Sequence, residues 1–298
     1  MTEAAFLARL RTLPLHPGAH GLGDDTATLG PYILTTDTMV EGIHFLPTDP
    51  PQDVAWKLVA TNLSDLAAKG ALVEGVLLNL PLTDPAWDGA FLDGLAGVLA
   101  AFDCPILGGD TVSLPPGAAR VLTCTAIGRD APAPPRSGAR PGDGLWVTGT
   151  IGDAGAGLAI ARGCPGPATL LARYRRPTPR LVEGRALAAH VHAMMDVSDG
   201  LLIDAARMAA ASGLSATIDL ARVPLSLELV AQAGDGLATR LAAATAGDDY
   251  ELLFATDAHP AVAATRVGTF APGAGLALTH DGAPVPLPAS LGFQHGLR

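Results

Sequence analysis

Short acidic stretches recur along this sequence, and in each an Asp stands beside Gly, Ser or Thr at the edge of an apolar run. They are Gly23-Asp24-Asp25, Thr36-Asp37-Thr38, Ser64-Asp65, Gly109-Asp110-Thr111 and Asp196–Gly200. An Asp at the end of an apolar run is well placed to bind a metal ion, and a bound cation offsets the repulsion between neighbouring carboxylates. We therefore expect these carboxylates to converge in the fold on one metal site.

Two of the acidic stretches follow runs that are typical of strands. Asp37 comes after the apolar run Tyr32–Leu34, so we place it where a strand ends. The run Cys104–Leu107 leads in the same way into Gly108-Gly109-Asp110. Two glycines allow a backbone to approach a phosphate closely, and an Asp supplies a hard oxygen ligand. We therefore expect both Asp residues at the solvent edge of a sheet.

The second half of the sequence repeats this arrangement. Residues 193–197 predict a short strand that delivers Asp196, and Ser198 or Asp199 is placed to cap the following helix. The glycine-rich stretch Gly149–Gly157 connects a strand to a helix and could hold a phosphate at the helix N-terminus. Its spacing matches no dinucleotide or Walker A motif, so the stretch taken alone is a weak signal for a phosphate site.

The segment around Asp65 predicts a helix from Val54 to Lys69, with Asp53 as its N-cap and Gly70 as its stop. Asn62 and Asp65 are three residues apart and so share one face. Such residues usually form a solvated face. This segment, however, contains few long charged side chains, which favours a placed polar cluster.

The remaining pattern consists of short elements, because 25 prolines and 35 glycines are spread along the chain. Apolar spacing predicts a helix within residues 2–13 and another marked by Trp87, Phe91, Leu95, Val98 and Phe102. Further strands are predicted at Leu72–Leu82, which we expect to be buried, at Arg120–Gly128 and at Leu145–Gly149.

Length and composition indicate a compact protein of two domains. The chain has 298 residues, of which 49% are hydrophobic and 16% charged. The Pro-rich segment Ala131–Gly138 is the best candidate for a linker. We therefore predict an N-terminal domain of residues 1–135 and a C-terminal domain of residues 136–298.

Charge and cysteine content exclude several classes of protein. A net charge of −10 argues against binding to nucleic acid or to an anionic membrane, so an anionic substrate would need metal ions as intermediaries. The acidic start Met1–Phe6 does not match a signal peptide and no apolar run could span a bilayer, so we expect a cytoplasmic protein. We expect Cys104, Cys124 and Cys164 to be small core residues, because their spacing fits neither a disulfide framework nor zinc.

About six separated carboxylates with neighbouring hydroxyls, and no evident nucleophile, favour one kind of chemistry. Carboxylate oxygens suit Mg²⁺, and phosphoryl transfer depends on positioning and charge neutralisation. A Ser/His/Asp hydrolase is the competing class, but the Gly-x-Ser-x-Gly elbow is absent from the sequence. We therefore expect phosphoryl transfer in which several Mg²⁺ ions lie between the acidic protein and a nucleotide.

The ordered motifs resemble those of the thiamine-monophosphate kinases, in the family that also holds aminoimidazole ribonucleotide synthetase, selenophosphate synthetase and the hydrogenase-maturation dehydratase. The resemblance covers about residues 20–295. Its motifs are Gly23-Asp24-Asp25, Thr36–Phe45, Asn62–Asp65, Gly109–Thr111, Asp196–Gly200 and Asp249–Leu252.

This resemblance implies an α/β (α+β) fold of two domains, in which the N-terminal sheet forms a homodimer and the C-terminal α+β domain closes the active site. It implies in-line transfer of a phosphoryl group from ATP to thiamine phosphate, with Asp37, Asp110 and Asp199 as catalytic residues. The implied Mg²⁺ ligands are Asp25, Thr35, Thr36, Asp37, Asp65, Asp110, Asp196 and Asp199. The implied ATP contacts are Gly109, Asp110, Arg136 and Ser198, and the implied thiamine phosphate contacts are His44, Asp248 and Phe293.

The sequence departs from this family at a few positions. The family usually has Glu in place of Asp248, Met in place of Lys69 and Thr-Arg in place of Val112-Ser113, and the segment around Phe293 matches loosely. Another ATP-dependent enzyme of the superfamily, or a silent nucleotide sensor, remains the alternative. Selenophosphate synthetase would need a Cys in an N-terminal glycine-rich loop, and the hydrogenase-maturation relatives end in Cys, whereas this sequence ends Gly296-Leu297-Arg298.

Overall fold

The structure is a computed structural model that describes residues 3–295. Outside the described residues lie Met1, Thr2 and Gly296–Arg298. The last three are the residues compared above with the C-terminal Cys of the hydrogenase-maturation relatives. Two β-sheets organise the described part, one of five strands and one of seven. Helices pack against both sheets, so the class is α/β (α+β), as the sequence predicts.

The first sheet has the strand order β1-β2-β5-β3-β4. In chain order the elements of this half are α1 (Glu3–Leu10), β1 (Ala27–Leu29), β2 (Tyr32–Val40), α2 (Pro51–Ala68), β3 (Leu72–Leu82), α3 (Pro85–Ala101), β4 (Ile106–Ser113) and β5 (Val121–Arg129). β3 and β4 pair parallel, whereas the other pairs are antiparallel. α2 packs on one face, where Leu63, Leu66 and Val76 are fully buried.

The opposite face of this sheet has no helix on it within residues 3–295 and exposes apolar side chains. Tyr32, Leu72, Leu77, Val112 and Val121 are between 37% and 47% exposed. The expectation that Leu72–Leu82 is a buried strand is therefore wrong for one of its two faces. The alternation of side chains along a strand buries one set and leaves the other set open.

Two predicted strand ends are strand interiors in the structure. β2 continues past Asp37 to Val40 because it pairs with β5 over nine consecutive positions. Gly109 and Asp110 lie within β4, because this strand pairs with β3 as far as Ser113. The side chains therefore project from the faces of the sheet instead of from its edge.

The helix that carries Asp65 begins earlier than predicted. α2 starts at Pro51, a residue whose fixed φ suits the first helical position, and Asp53 lies in its first turn and pairs with Arg176 at 2.5 Å. The predicted N-cap role of Asp53 is therefore wrong. The predicted stop is confirmed, since Gly70 follows the helix with a φ of +64°.

The second sheet has the strand order β12-β11-β8-β10-β6-β9-β7. Its half contains β6 (Gly144–Thr148), α4 (Asp153–Ala161), α5 (Ala168–Arg175), α6 (Leu181–Leu187), β7 (Ala193–Asp196), α7 (Leu201–Ala211), β8 (Leu214–Asp219), α8 (Leu227–Ala233), α9 (Leu237–Ala244), β9 (Leu252–Thr256), β10 (Ala264–Pro272), β11 (Gly275–His280) and β12 (Ala283–Val285). α2 also contacts β7 and α6, so it lies between the two halves.

Two of the three cysteines are core residues, as predicted. Cys104 and Cys124 are buried, and burial raises the pKa of the Cys104 thiol to about 11, so it remains protonated near neutral pH. Cys164 is exposed, which corrects the third expectation, because it lies in the turn after α4. Within residues 3–295 no helix combines the length and apolar character needed to cross a membrane.

Candidate active site

Three carboxylates from distant parts of the chain meet between the two halves. Asp25 lies in the loop before β1, Asp65 on α2 and Asp196 at the end of β7. One oxygen atom from each lies within 4.8 Å of the other two. We refer to Asp25, Asp65 and Asp196 as the carboxylate cluster.

Hydroxyl groups hold two members of the cluster in place. Thr35 Oγ1 donates a hydrogen bond of 2.5 Å to Asp65 Oδ2. Ser64 Oγ donates one of 2.6 Å to Asp196 Oδ2. Because Ser64 and Asp65 are adjacent on α2, one turn of this helix fixes carboxylates from both halves of the chain.

Asp37 approaches the cluster from β2. Its backbone N–H donates to Asn62 Oδ1 at 3.1 Å, and its side chain shares the helix-facing side of the sheet with the paired residue Cys124. The residue keeps access to solvent, but many protein atoms surround the carboxyl group. This crowding, with the charges of Asp25 and Asp199, raises the pKa of Asp37 to about 6.

The electrostatics of the cluster are uneven. Burial and neighbouring carboxylates raise the pKa values of Asp65 and Asp196 well above the usual range. Burial also opposes ionisation of Asp25, but Lys69 and Arg136 outweigh it and lower the pKa of this carboxyl. The Asp65 and Asp196 side therefore has a strong affinity for positive charge.

Asp199 and Ser198 lie on a turn that is shaped by Asp204. Asp204 Oδ2 accepts hydrogen bonds from the backbone N–H groups of Ser198, Asp199 and Gly200 at 3.1–3.2 Å. The prediction that Ser198 or Asp199 caps the next helix is therefore wrong, because α7 begins after Gly200 without a side-chain cap and Asp204 reaches back. The turn leaves the Asp199 carboxylate paired with Arg207 at 2.5 Å.

Aromatic side chains form a second group next to this turn. The ring centroids of His44 and Phe293 are 6.5 Å apart, and that of His295 is 5.4 Å from His44. The backbone N–H of Phe293 donates to the carbonyl of Asp199 at 2.9 Å. Burial, followed by the nearby His295, lowers the pKa of His44, so its ring is neutral near pH 7.

Asp248 lies beside the aromatic group and is held by three contacts. Lys57 Nζ donates to Asp248 Oδ2 at 2.7 Å and to the carbonyl of His44 at 3.2 Å. The Tyr250 hydroxyl donates to Asp248 Oδ1 at 3.0 Å, and the Asp248 N–H donates to the Ser198 carbonyl at 2.7 Å. The structure thus brings His44, Asp248 and Phe293 together, next to the turn that carries Asp199.

Three predicted site residues do not reach the cluster within one chain. Following the paired positions across the first sheet leads from Asp110 on β4, through β3 and β5, to Thr38 on β2. Asp110 therefore lies on the open face, three strand spacings or roughly 14 Å from β2. Thr36 also faces this side, where its hydroxyl bonds Thr125 Oγ1 at 2.9 Å. Gly109 lies next to Asp110 on the edge strand β4.

The glycine-rich stretch before α4 does not offer a free phosphate site. Both carboxylate oxygens of Asp249 accept from the Gly152 N–H, at 2.9 and 3.0 Å, and Oδ1 also accepts from the Ala154 N–H at 3.4 Å. A carboxylate of the chain itself therefore occupies this helix N-terminus. The weak signal for a phosphate site in this stretch is therefore not followed by a free helix N-terminus in the structure.

Known proteins are similar to this chain over most of its length. The families AIR synthase related protein, N-terminal domain, and AIR synthase related protein, C-terminal domain, match residues 23–129 and 140–281. Thiamine-monophosphate kinase from Caulobacter vibrioides is 38% identical over 99% of this chain and 91% of its own length. The chain belongs to the thiamine-monophosphate kinase family. The enzyme of the same name from Escherichia coli is also 38% identical, over 92% of this chain and 91% of its own.

A solved structure of this family has the same fold. AaThiL complexed with AMPPCP and TMP aligns with a TM-score of 0.87 at 29% identity, over 99% of this chain and 97% of that one. Membership of the thiamine-monophosphate kinase family makes this chain a phosphotransferase with the AIR synthase-like fold, as the sequence motifs predict.

In the sequence, Lys69 stands out only as a departure from the family, and the contacts of three charged residues beside the predicted site are not predicted. Lys57 is buried on α2, Lys69 is buried directly after it, and Asp204 is fully buried on α7. A signal for Lys57 existed, because Trp56, Leu58 and Val59 make its surroundings apolar. For Lys69 and Asp204 the partners lie in other segments or in a backbone turn, so no local pattern indicates them.

Proposed function

We propose that this chain transfers the γ-phosphoryl group of ATP directly to thiamine phosphate and so forms thiamine diphosphate and ADP. The observation that carries the proposal is the convergence of Asp25, Asp65 and Asp196 within 4.8 Å, with Asp37 beside them. Family membership supports the choice of substrates. The cytoplasm is the proposed compartment.

The residues present fit a site for divalent metal ions. Asp65 and Asp196 are buried carboxylates crowded by other negative charges, and within residues 3–295 no salt bridge compensates them, so they suit a bound cation. The donors are hard oxygens, which Mg²⁺ prefers. We propose that Thr35, Asp37, Asp65, Asp196 and Asp199 hold several Mg²⁺ ions, whereas both oxygens of Asp25 already lie against Lys69 and Arg136. Bound there, Mg²⁺ would neutralise the charge of the phosphates and of the transferring group.

The chain's own residues orient the two substrates. Arg136 pairs with Asp25 of the cluster and Ser198 follows Asp196 by two residues, and we propose that both contact ATP. The aromatic rings of His44 and Phe293 suit the flat, cationic heterocycle of thiamine, and Asp248 supplies the complementary negative charge. Because Phe293 and Asp248 bond the backbone of the turn at residues 198–199, they place the acceptor next to the cluster. In-line attack needs this alignment.

The open face of the first sheet supports a homodimer. An exposed apolar sheet face is a typical surface for self-association. Asp110, Gly109 and Thr36 lie on this sheet but away from the cluster of their own chain, so we propose that their roles toward ATP and Mg²⁺ are fulfilled across the dimer. We also propose residues 1–135 and 136–298 as the two domains, with the second closing the site.

A direct assay tests the proposed reaction. Purified chain is incubated with ATP, Mg²⁺ and thiamine phosphate, and thiamine diphosphate is measured by chromatography. We expect one ADP for each thiamine diphosphate, no product when Mg²⁺ is chelated, and little product when unphosphorylated thiamine replaces thiamine phosphate. ATP consumption without thiamine diphosphate, or no turnover at all, would contradict the proposal.

A further inference from the structure

Lys69 is a fully buried lysine at the wall of the carboxylate cluster. It is the residue that ends α2, and its side chain is 1% exposed. Its Nζ donates to Asp24 Oδ1 at 2.5 Å and to the backbone carbonyls of Pro134 and Met194 at 3.2 Å each. These three bonds use all three ammonium hydrogens, so the cation is fixed in position.

The same ammonium group lies against a cluster oxygen. Lys69 Nζ is 3.1 Å from Asp25 Oδ2, in a direction that does not make a hydrogen bond, and Arg136 pairs with the other oxygen of Asp25. Two carboxylates, Asp24 and Asp25, are therefore matched by two cations of the chain. Charge on this side of the cluster is balanced before any metal ion is bound.

The other side of the cluster has no such partner. Within residues 3–295 no salt bridge reaches Asp37, Asp65 or Asp196. The Asp65 and Asp196 carboxylates accept hydrogen bonds from the hydroxyls of Thr35 and Ser64, and the Asp37 backbone N–H donates to Asn62 Oδ1. A divalent ion next to Asp25 Oδ2 would be repelled by the fixed ammonium of Lys69. An ion among Asp37, Asp65 and Asp196 would have no cation of the chain next to it. The protein thus divides the cluster into a self-neutralised side and a metal-binding side.

We propose that Lys69 is a built-in cation of the metal site, which takes the place of one divalent ion beside Asp24 and Asp25 and confines metal ions to the Asp37, Asp65 and Asp196 side. This inference rests on the proposed function, because it presumes that the cluster binds metal. It also gives Lys69 a second effect. Its bonds to Pro134 and to Met194 of β7 join the two halves of the chain, so the cluster is preformed in the metal-free protein.

Counting bound ions tests the proposal without measuring catalysis. Mn²⁺ serves as the probe, and the ions bound per chain are measured by equilibrium dialysis with a non-hydrolysable ATP analogue present. We expect Lys69→Met to bind one Mn²⁺ more than the parent chain. Lys57→Met is the matched control, since Lys57 is the other buried lysine of α2 but pairs with Asp248, and its ion count should equal that of the parent.

The outcomes separate this inference from the proposed function. If the parent binds no Mn²⁺, the proposed metal site is wrong. If the parent binds Mn²⁺ and Lys69→Met binds the same number, only the inference about Lys69 is overturned. Melting curves give a second readout: metal-free Lys69→Met should melt at a lower temperature than the parent, and saturating Mn²⁺ should recover most of the difference.

A second variant covers the case in which Lys69→Met does not fold without metal. The pair Asp24→Asn and Lys69→Met removes the ammonium together with its nearest carboxylate, so no unmatched charge is added. We expect the pair to fold and to bind one Mn²⁺ more than the parent. If the double variant binds the same number of Mn²⁺ ions as the parent chain, the proposal is overturned. So would failure of both variants to fold with Mn²⁺ present, because an ion should then replace the ammonium.

Discussion

Individual carboxylates carry the proposed chemistry, and the charge of Asp65 can be removed without breaking a salt bridge. Its carboxylate accepts a hydrogen bond from Thr35 and forms no salt bridge within residues 3–295. Asp65→Asn preserves the shape of the side chain and removes the charge. We expect kcat to fall about a hundredfold or more, because metal-assisted charge stabilisation is worth several kcal/mol. Steady-state kinetics with saturating ATP and thiamine phosphate measure the effect.

The control for this variant is Asp235→Asn. Asp235 is exposed in the turn before α9, where its backbone carbonyl accepts a hydrogen bond from Arg240. Its kinetics should match those of the parent. Near-normal turnover in Asp65→Asn, with an unchanged circular dichroism spectrum, would mean that the cluster is not the reaction centre.

At this scale the sequence indicates the acidic residues better than their partners. The Gly-Asp and Ser-Asp steps indicate Asp25, Asp65 and Asp196, because carboxylates beside small residues at the ends of apolar runs are unusual unless they are used. Lys69 could not be found in this way. A lysine at the end of a helix is normally solvated, and its partner Met194 is 125 positions away.

Among the elements, the edge strand β4 depends on the absence of a side chain at Gly109. A Cβ at this position would lie 1.9 Å from the carbonyl oxygen of Leu78 on β3, and the φ of +152° is unfavourable for other residues. We expect Gly109→Ala to lower the free energy of unfolding by about 2 kcal/mol or more, through loss of the β3 and β4 pairing. Urea denaturation measures the change.

Gly97→Ala is the matched substitution. Gly97 lies within α3 and a Cβ there would meet no atom within 4 Å. Alanine should raise the free energy of unfolding by up to about 1 kcal/mol, because it favours the helix. Equal effects of the two substitutions would show that β4 is not held as the structure describes.

Elements were predictable where apolar periodicity is strong, but the ends of strands that continue into polar sequence were not. The stripe from Trp87 to Phe102 predicts α3, and Leu72–Leu82 predicts β3 with its observed bounds. The polar sequence Thr35–Thr38 resembles a loop when taken alone. It remains a strand because β5 pairs with it, and the sequence does not show which partner lies beside it.

For the molecule as a whole, the position of Asp110 requires a second chain if it serves the reaction. It lies on the open face of the first sheet, whereas Asp37 faces α2. We expect heterodimers of Asp110→Asn and Asp65→Asn chains, co-expressed with different tags, to retain about half of the parent's activity, because one of two sites is then intact. Both homodimers should be inactive. Inactive heterodimers would contradict a shared site.

The central claim is that the carboxylates form one site for metal and nucleotide, and a melting titration tests it most directly. The complex of Mg²⁺ with a non-hydrolysable ATP analogue binds the folded chain only, so the complex at about a hundred times its Kd should stabilise the chain by about 2.7 kcal/mol. For a chain of this size we expect the melting temperature to rise by about 5 °C or more. Mg²⁺ alone should give a smaller rise.

Asp65→Asn provides the comparison within the same titration. Without ligands it should melt no lower than the parent at pH 7.5. The pKa of Asp65 is raised in the folded chain, so above about pH 4, where the unfolded chain loses this proton, the carboxyl group lowers the stability of the folded parent. The Asp65→Asn substitution removes this cost. With Mg²⁺ and the analogue its melting temperature should rise much less than that of the parent. If the parent's melting temperature does not change with Mg²⁺ and nucleotide together, the carboxylates do not form one site and the account is wrong.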